Sequence, residues 1–288
     1  MEDKMQVHTS YLICATPRSG STFLCEVLQN TGIAGYPEEY FQALEKTGLP
    51  RDPQAYFEGL DPAERADITP YLAPFAQANP EPAQAVSAEA YLDYLATVLQ
   101  RGSTLNNVFG AKIMWGYFND LVHKFQDIPG YSEMPAPDLL STVFPHLRYI
   151  WIRRRDKVRQ AVSLWKALQT WTWRQEDLSP RPNVSAGSRK PVFHFKAIDH
   201  LVQQIETDEA AWQHYFRSYD IQPFTVEYEE LTVAYEEVDL EILQFIGIPI
   251  SEDFVFIEPR MRRQADALSE EWVQRYHGLK SEQGLDKA

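Results

Sequence analysis

The chain has 288 residues, of which 44% are hydrophobic and 13% aromatic, and its 27 Lys and Arg against 41 Asp and Glu give a net charge of −14. This apolar content excludes a disordered chain, and the acidic balance argues against a nucleic-acid binder, which needs a basic surface to release counterions. No run approaches about 20 consecutive apolar residues, so no transmembrane segment is predicted. The polar N-terminus and the pair Cys14 and Cys25 favour a cytoplasmic protein without disulfides.

Strand and helix patterns alternate along the chain. A short apolar run at 11–15 predicts a buried strand, and helical spacing follows over 21–30. The region 43–87 has no strong period and predicts an irregular insertion, which in compact domains is often a binding lid. The later predicted elements are strands at 108–114, 149–152 and 224–228 and helices at 87–101, 117–125, 156–173, 196–218, 240–246 and 269–276. Strands separated by helices predict one α/β domain over 1–288, with a parallel sheet and helices on both faces.

The segment between the first strand and the first helix carries the clearest chemical signal, Ala15-Thr-Pro-Arg-Ser-Gly-Ser-Thr22. At such a turn, free backbone N–H groups and the helix dipole favour an anion. Gly20 lets the backbone approach closely and Arg18 adds positive charge, while hydroxyl donors come from Ser19, Ser21 and Thr22. The Gly-Lys-Ser/Thr step of a Walker A loop is absent, which weakens the case for Mg²⁺. A turn whose hydroxyl groups only cap the helix is the alternative interpretation.

A second basic cluster follows the strand at 149–152, as Arg153-Arg-Arg-Asp-Lys-Val-Arg159. Arg155 at the strand's end and Ser163 on the following helix are placed to grip one phosphate from two directions. The alternative is a solvated basic face that pairs with some of the many carboxylates. A third cluster, Arg260-Met-Arg-Arg-Gln264, precedes the last predicted helix, where it can close over a bound nucleotide.

The segment at 15–22, named the phosphate loop from here on, resembles, together with Arg155 and Ser163, the matching motifs of the sulfotransferases that use 3′-phosphoadenosine 5′-phosphosulfate (PAPS). The resemblance extends to one bacterial branch, the carbohydrate sulfotransferases of the trehalose 2-sulfotransferase family. It rests on three further segments in the same order, at 31–42, at 111–115, and at 263–266 with 271–276. With these segments, the resemblance extends along the chain from about residue 11 to residue 277.

This resemblance implies a P-loop-like sulfotransferase fold, PAPS as co-substrate and adenosine 3′,5′-bisphosphate as product. It implies that Arg18 to Thr22 bind the 5′-phosphosulfate, that Arg155 and Ser163 bind the 3′-phosphate, and that Arg263 closes that site. It also implies a homodimer. A sulfuryl group in transfer carries less charge than a phosphoryl group, so hydrogen-bond donors and basic side chains suffice, and no metal is expected.

The resemblance places the acceptor at residues 36–41, Tyr-Pro-Glu-Glu-Tyr-Phe. Transfer to a sugar hydroxyl needs a base, and the matching family position is Glu39; without the resemblance, a surface carboxylate is the simpler interpretation. Lys112 is a candidate hydrogen-bond donor to the oxygen that bridges sulfur and phosphorus in the donor. The alternative is that it belongs to a structural ion pair. Acceptor contacts are expected from Pro17, Tyr36, Pro37, Glu38, Tyr40 and Phe41. Pro17 and Tyr36 depart from the trehalose enzyme, whose polar and acidic residues make sugar hydrogen bonds there, so the acceptor is left open as a carbohydrate or glycolipid.

Two other functions stay open at this stage, a P-loop small-molecule kinase and a non-catalytic nucleotide-binding protein. A kinase of this class needs a Gly-Lys-Ser/Thr step, which is absent. A non-catalytic binding protein is expected to lack a functional acceptor site, whereas Glu39 is present. His194 and His200 are alternative bases, although a lone histidine is more often structural. Trp165, Cys14 and Cys25 are expected in the core.

Overall fold

The computed structural model describes residues 7–45, 50–73, 87–173, 190–251, 253–260 and 266–284. Its strands are β1 (Thr9–Ala15), β2 (Val108–Met114), β3 (Arg148–Arg153) and β4 (Phe224–Glu227). Its helices are α1 (Ser21–Asn30), α2 (Pro62–Ile68), α3 (Ala88–Arg101), α4 (Trp115–Gln126), α5 (Ala136–Val143), α6 (Lys157–Thr170), α7 (Phe195–Ser218), α8 (Tyr228–Leu231), α9 (Tyr235–Phe245) and α10 (Ala267–Glu282).

The four described strands form one parallel sheet in the order β2-β1-β3-β4. β2 is buried along its whole length and β1 is buried after Thr9, as expected where both faces of a sheet are covered. Because β1 lies between β2 and β3, the strand order reverses there and leaves a crevice beyond the carboxyl ends of the strands, where open α/β sheets bind ligands. The predicted parallel α/β sheet is confirmed, and the phosphate loop begins at this crevice.

Local capping signals mark the starts of several helices. Ser87 caps α3 by accepting a hydrogen bond from the backbone N–H of Ala90 at 3.2 Å, and Asp156 caps α6 by accepting from the N–H of Arg159 at 2.8 Å. The helices predicted at 21–30, 87–101 and 196–218 are confirmed to within a residue or two. By contrast, α5 was not predicted, because its eight residues are too few to establish a period.

The described residues fall into two compact units. The first unit, Met1–Pro50, Asn79–Arg155 and Asp208–Arg262, holds the sheet and has a core that includes Leu12, Phe109, Ile150 and Trp212. The second unit, Arg51–Ala78, Asp156–Thr207 and Arg263–Ala288, has its own core that includes Phe57, Trp165, Leu201 and Trp272. One domain with an insertion at 43–87 stays a prediction.

The residues expected in the core are buried. Trp165 meets Phe57 edge to face at a centroid distance of 5.9 Å, and its Nε1 donates to the carbonyl of Val192 at 2.8 Å. Cys14 and Cys25 are buried thiols, and burial raises the pKa of Cys14. These core predictions are confirmed. Within the described ranges, no helix combines the length and apolar character needed to cross a membrane.

Candidate active site

The loop between β1 and α1 turns tightly at the carboxyl end of β1. Arg18 and Gly20 both have left-handed backbone conformations, with φ of 63° and 94°, and Gly20 directly precedes α1. A Cβ atom on Gly20 would lie 2.2 Å from Cδ2 of Tyr228, the first residue of α8. Glycine is therefore required here both by the backbone angle and by the nearby ring.

Polar side chains of this loop lie at the start of α1. Ser19 is fully buried, and its Oγ has no hydrogen-bond partner among the described residues. Thr22 accepts a hydrogen bond at Oγ1 from Nζ of Lys112 at 3.3 Å. Because a buried hydroxyl without a partner is costly, the Oγ of Ser19 gains from a ligand that reaches this loop.

The charge of Arg18 is disfavoured by its surroundings. Burial, and in second place the positive charge of Arg154, lower the pKa of Arg18 to about 10. The guanidinium is still protonated at neutral pH, since that pKa lies well above 7. A cation held in such surroundings gains more from a bound anion than a fully solvated one.

Glu39 and Lys112 form an ion pair beside the loop. Oε2 of Glu39 lies 3.1 Å from Nζ of Lys112, whose side chain is only 4% exposed. The backbone sets up this pair, because the N–H of Lys112 donates to the carbonyl of Glu38 at 2.9 Å and the segment there bridges to β2 in parallel. Through Nζ, the carboxylate of Glu39 is joined to the hydroxyl of Thr22.

The other residues expected to contact the acceptor differ in exposure. Tyr36 is 44% exposed, and its carbonyl accepts a hydrogen bond from the Tyr40 hydroxyl at 2.7 Å. Burial, with the charge of Glu38 as a smaller cause, raises the pKa of Tyr40, so this hydroxyl stays a donor. Glu38 is exposed, Pro17 is half-buried and Pro37 is buried. Their contacts with an acceptor stay predictions.

Phe41 lies in the core of the first unit. Its ring meets Phe125 and Phe144 edge to face, at centroid distances of 6.1 and 6.0 Å, and the residue is 4% exposed. This packing anchors the end of the 36–41 segment to the core. Sequence reasoning expected Phe41 to touch the acceptor, and that contact stays a prediction.

Carboxylates lie near Arg153, the last residue of β3, and near Arg155, two residues further on. Nε of Arg153 lies 3.0 Å from Oε1 of Glu209. Nη2 of Arg155 pairs with Glu230, and Nε of Arg155 lies 3.8 Å from Glu227. The hydrogen bond with Glu230 raises the pKa of Arg155. Since the Arg155 side chain is 58% exposed, a phosphate that binds it competes with Glu230 at the protein surface.

Two further anion-site candidates, Ser163 and Arg263, stay predictions. Arg155 belongs to the first unit, and Ser163 lies on α6 in the second. Their joint binding of a phosphate stays a prediction. Arg263 lies outside the described residues. In the same cluster, the backbone N–H of Arg260 donates to Oε1 of Glu26 at 2.7 Å.

The two histidines considered as alternative bases make structural contacts in the second unit. Nε2 of His194 lies 3.0 Å from Oδ2 of Asp67, and its Nδ1 accepts from the N–H of Ala197 in the first turn of α7. Nε2 of His200 lies 3.0 Å from the carbonyl of Tyr56, and burial lowers the pKa of His200. These contacts favour the structural interpretation.

Sequence reasoning missed two residues at the loop, Arg154 and Tyr228. Nη1 of Arg154 donates to the carbonyl of Arg18 at 3.4 Å, and its guanidinium lies 4.7 Å from the ring centroid of Tyr228. The run of three arginines marked the region of Arg154 but not which arginine faces the loop. Tyr228 had no signal of its own, because only the pairing of β4 with β3 brings it here.

These features define a broad class, the P-loop-like α/β proteins that bind phosphate-type anions where a strand turns into a helix. In the part of the chain that the structure describes, no group of three His, Cys, Asp or Glu side chains is arranged to hold a metal ion. The chain belongs to the Stf0 sulphotransferase family, whose family model matches residues 10–278. It is therefore an enzyme of the sulfotransferase class, as the resemblance of its motifs implied.

Two trehalose 2-sulfotransferases are similar to this chain over nearly their full length. The protein from Mycolicibacterium smegmatis is 34% identical over 280 residues, which cover 96% of this chain and 97% of that protein. The protein from Mycobacterium tuberculosis is 32% identical over 276 residues, with the same two shares. Among solved structures, a sulfotransferase from Mycobacterium avium matches at 13% identity with a TM-score of 0.45, covering 95% of this chain and 68% of that one.

Proposed function

We propose that this enzyme transfers the sulfuryl group of PAPS to a hydroxyl group of a carbohydrate or glycolipid and releases adenosine 3′,5′-bisphosphate. The observation that carries the proposal is the contact chain from Glu39 through Lys112 to Thr22, with distances of 3.1 and 3.3 Å. It joins a carboxylate that can accept a proton to a loop that can bind an anion. The similarity to two trehalose 2-sulfotransferases supports a sugar acceptor.

The loop suits the 5′-phosphosulfate end of the donor. The Oγ of Ser19 is buried without a partner among the described residues. Gly20 has no Cβ, so its backbone can lie close to the ring of Tyr228. Arg18 is a cation in partly buried surroundings. Ser21 and Thr22 begin α1, where backbone N–H groups and the helix dipole favour an anion. Bound PAPS supplies the sulfuryl group and a phosphate leaving group.

Glu39 acts as the general base. Its ion pair with Lys112 orients the carboxylate, which accepts the proton of the acceptor hydroxyl while that oxygen bonds to sulfur and the bond from sulfur to the phosphate oxygen breaks. Once Glu39 holds the proton, it no longer neutralises Lys112. The ammonium group of Lys112, hydrogen-bonded to Thr22, then balances negative charge that grows on the phosphate side.

Acceptor choice depends on the exposed side chains next to the base. Tyr36 is 44% exposed, and a phenol offers a sugar both an apolar face and one hydroxyl. Together with the apolar ring of Pro17, it offers a sugar few hydrogen-bonding groups, so trehalose is one candidate acceptor among several. A cytoplasmic location and a homodimer remain predictions.

The proposal is tested by transfer of radiolabelled sulfate from PAPS in metal-free buffer to trehalose, other sugars, glycolipids and a cell extract. Label on a carbohydrate or glycolipid supports the proposal. Label only on a non-carbohydrate acceptor overturns the acceptor class. If phosphate from ATP with Mg²⁺ is transferred and sulfate is not, the enzyme is a kinase and the donor assignment is wrong.

A further inference from the structure

Arg154 contacts the loop between β1 and α1. Arg153 and Arg155 lie within 4 Å of carboxylates. Arg154 donates through Nη1 to the backbone carbonyl of Arg18, inside the phosphate loop, at 3.4 Å. The side chain is half-buried. This contact directs the guanidinium of Arg154, the middle one of the three consecutive arginines 153–155, to the loop.

The ring of Tyr228 lies against both Arg154 and Gly20 of the loop. Its ring lies 4.7 Å from Cζ of Arg154, within the range of a cation–π contact. The same ring occupies the space next to Gly20, since a Cβ there would be 2.2 Å from Cδ2. The ring thus fixes the position of a cation relative to the turn that precedes α1.

Positive charge accumulates at this turn. The charge of Arg154, after burial, is the second cause of the lowered pKa of Arg18, which shows that the two guanidinium groups repel each other. The buried Oγ of Ser19, without a partner among the described residues, belongs to the same turn. Two like charges and an unsatisfied donor are stabilised together by one anion that bears more than a single charge.

We propose that Arg154, seated on the ring of Tyr228, binds the 5′-phosphate end of the donor and provides a charge comparable to that of the Walker lysine, which this loop lacks. This inference rests on the proposed function, because it assigns a residue to the donor site of that reaction. Arg154 is a binding residue, and Tyr228 is a positioning residue that acts through it.

A comparison of two ligands tests the inference, because they differ only in the 5′-phosphate. Binding of adenosine 3′,5′-bisphosphate and of adenosine 3′-monophosphate is measured by calorimetry for the full-length wild type and for Arg154→Gln. We expect the variant to bind the bisphosphate about tenfold or more weakly, as loss of a charge-assisted hydrogen bond implies. The affinity for the 3′-monophosphate should stay within about twofold of the wild-type value.

Arg153→Gln is the matched control, because it removes the same charge one residue earlier while its guanidinium lies against Glu209; we expect it to bind both ligands like the wild type. Tyr228→Phe keeps the ring and should keep the preference for the bisphosphate, whereas Tyr228→Leu should lose it.

Equal weakening of both ligands by Arg154→Gln, or no weakening of either, overturns the role of Arg154. If the wild type itself does not prefer the bisphosphate to the 3′-monophosphate, the donor assignment fails, and the proposed function fails with it.

Discussion

Lys112 forms the ion pair that was one of its two interpretations from sequence, and its role in the reaction stays a prediction. The sequence left open whether it donates to the reacting groups or forms a structural ion pair. It is 4% exposed and pairs with Glu39, so the pair is part of the packed structure, and it also donates to Thr22 in the phosphate loop. A buried charge that loses its partner is costly, so the ion pair keeps both groups in place.

Glu39→Gln tests the base directly. Gln keeps the size of the side chain and an oxygen that can accept from Lys112, but an amide does not accept the hydroxyl proton. We expect kcat to fall by about 10²-fold or more, while the affinity for adenosine 3′,5′-bisphosphate is unchanged. Steady-state kinetics and calorimetry on the same preparation measure the two effects.

The matched control for this experiment is Glu45→Gln. Glu45 is an exposed carboxylate of the same unit, whose Oε2 lies 3.1 Å from Nδ1 of His123, and its variant should retain normal turnover. Thermal unfolding of both variants shows whether either change disturbs folding. Turnover of Glu39→Gln within twofold of the wild-type value would remove Glu39 as the base.

At the scale of elements, α9 carries a polar group that its packing does not satisfy. Asp239 is fully buried, and neither carboxylate oxygen has a hydrogen-bond partner among the described residues. Burial raises the pKa of Asp239 to about 8. The helix packs against α1, where the rings of Phe23 and Tyr235 meet at 6.5 Å. Its docking is therefore most favourable when Asp239 carries a proton.

The pH dependence of stability follows from this shift. The folded-state pKa lies above the ordinary aspartate value, so the unfolded chain releases the proton first and the free energy of unfolding falls as pH rises between about 4 and about 8. The slope contributed by one such group is at most about 1.4 kcal/mol per pH unit. Asp239→Asn cannot ionise and should lack this slope.

Urea unfolding of the wild type and of Asp239→Asn across this pH range measures the difference. We expect the variant to become more stable relative to the wild type as pH rises. A difference between the two proteins that stays constant with pH would show that Asp239 does not change its protonation on unfolding.

At the scale of the whole molecule, the distribution of charge matters more than its sum. The chain has a net charge of −14, yet Arg18 and Arg154 meet at the phosphate loop while Glu227 and Glu230 surround Arg155. A small anion is therefore attracted to this loop although the net charge of the chain is negative. Selective binding of an anionic nucleotide is the property that the whole chain should display.

Thermal unfolding with added nucleotide measures this selectivity. A ligand that binds only the folded state stabilises it by about 2.7 kcal/mol at a hundredfold excess over Kd. We expect adenosine 3′,5′-bisphosphate to raise Tm and ATP with Mg²⁺ to raise it much less. A larger shift with ATP and Mg²⁺ would favour the kinase alternative.

The sequence by itself determined the alternation of strands and helices, the phosphate loop and the family, because these depend on local periodicity and on short motifs of adjacent residues. It also singled out Glu39, although only through resemblance. The brief α5 was missed, since two turns of helix establish no period.

Only the tertiary structure decided which distant groups meet. The strand order β2-β1-β3-β4 brings Lys112 to Thr22, and it places Tyr228 of the β4 end beside Gly20. It also decides that Arg155 faces carboxylates while Arg154 faces the loop, a distinction invisible in a run of identical residues. The physical reason is that a side chain's partners and its burial depend on which strands lie side by side, and local sequence patterns do not contain that information.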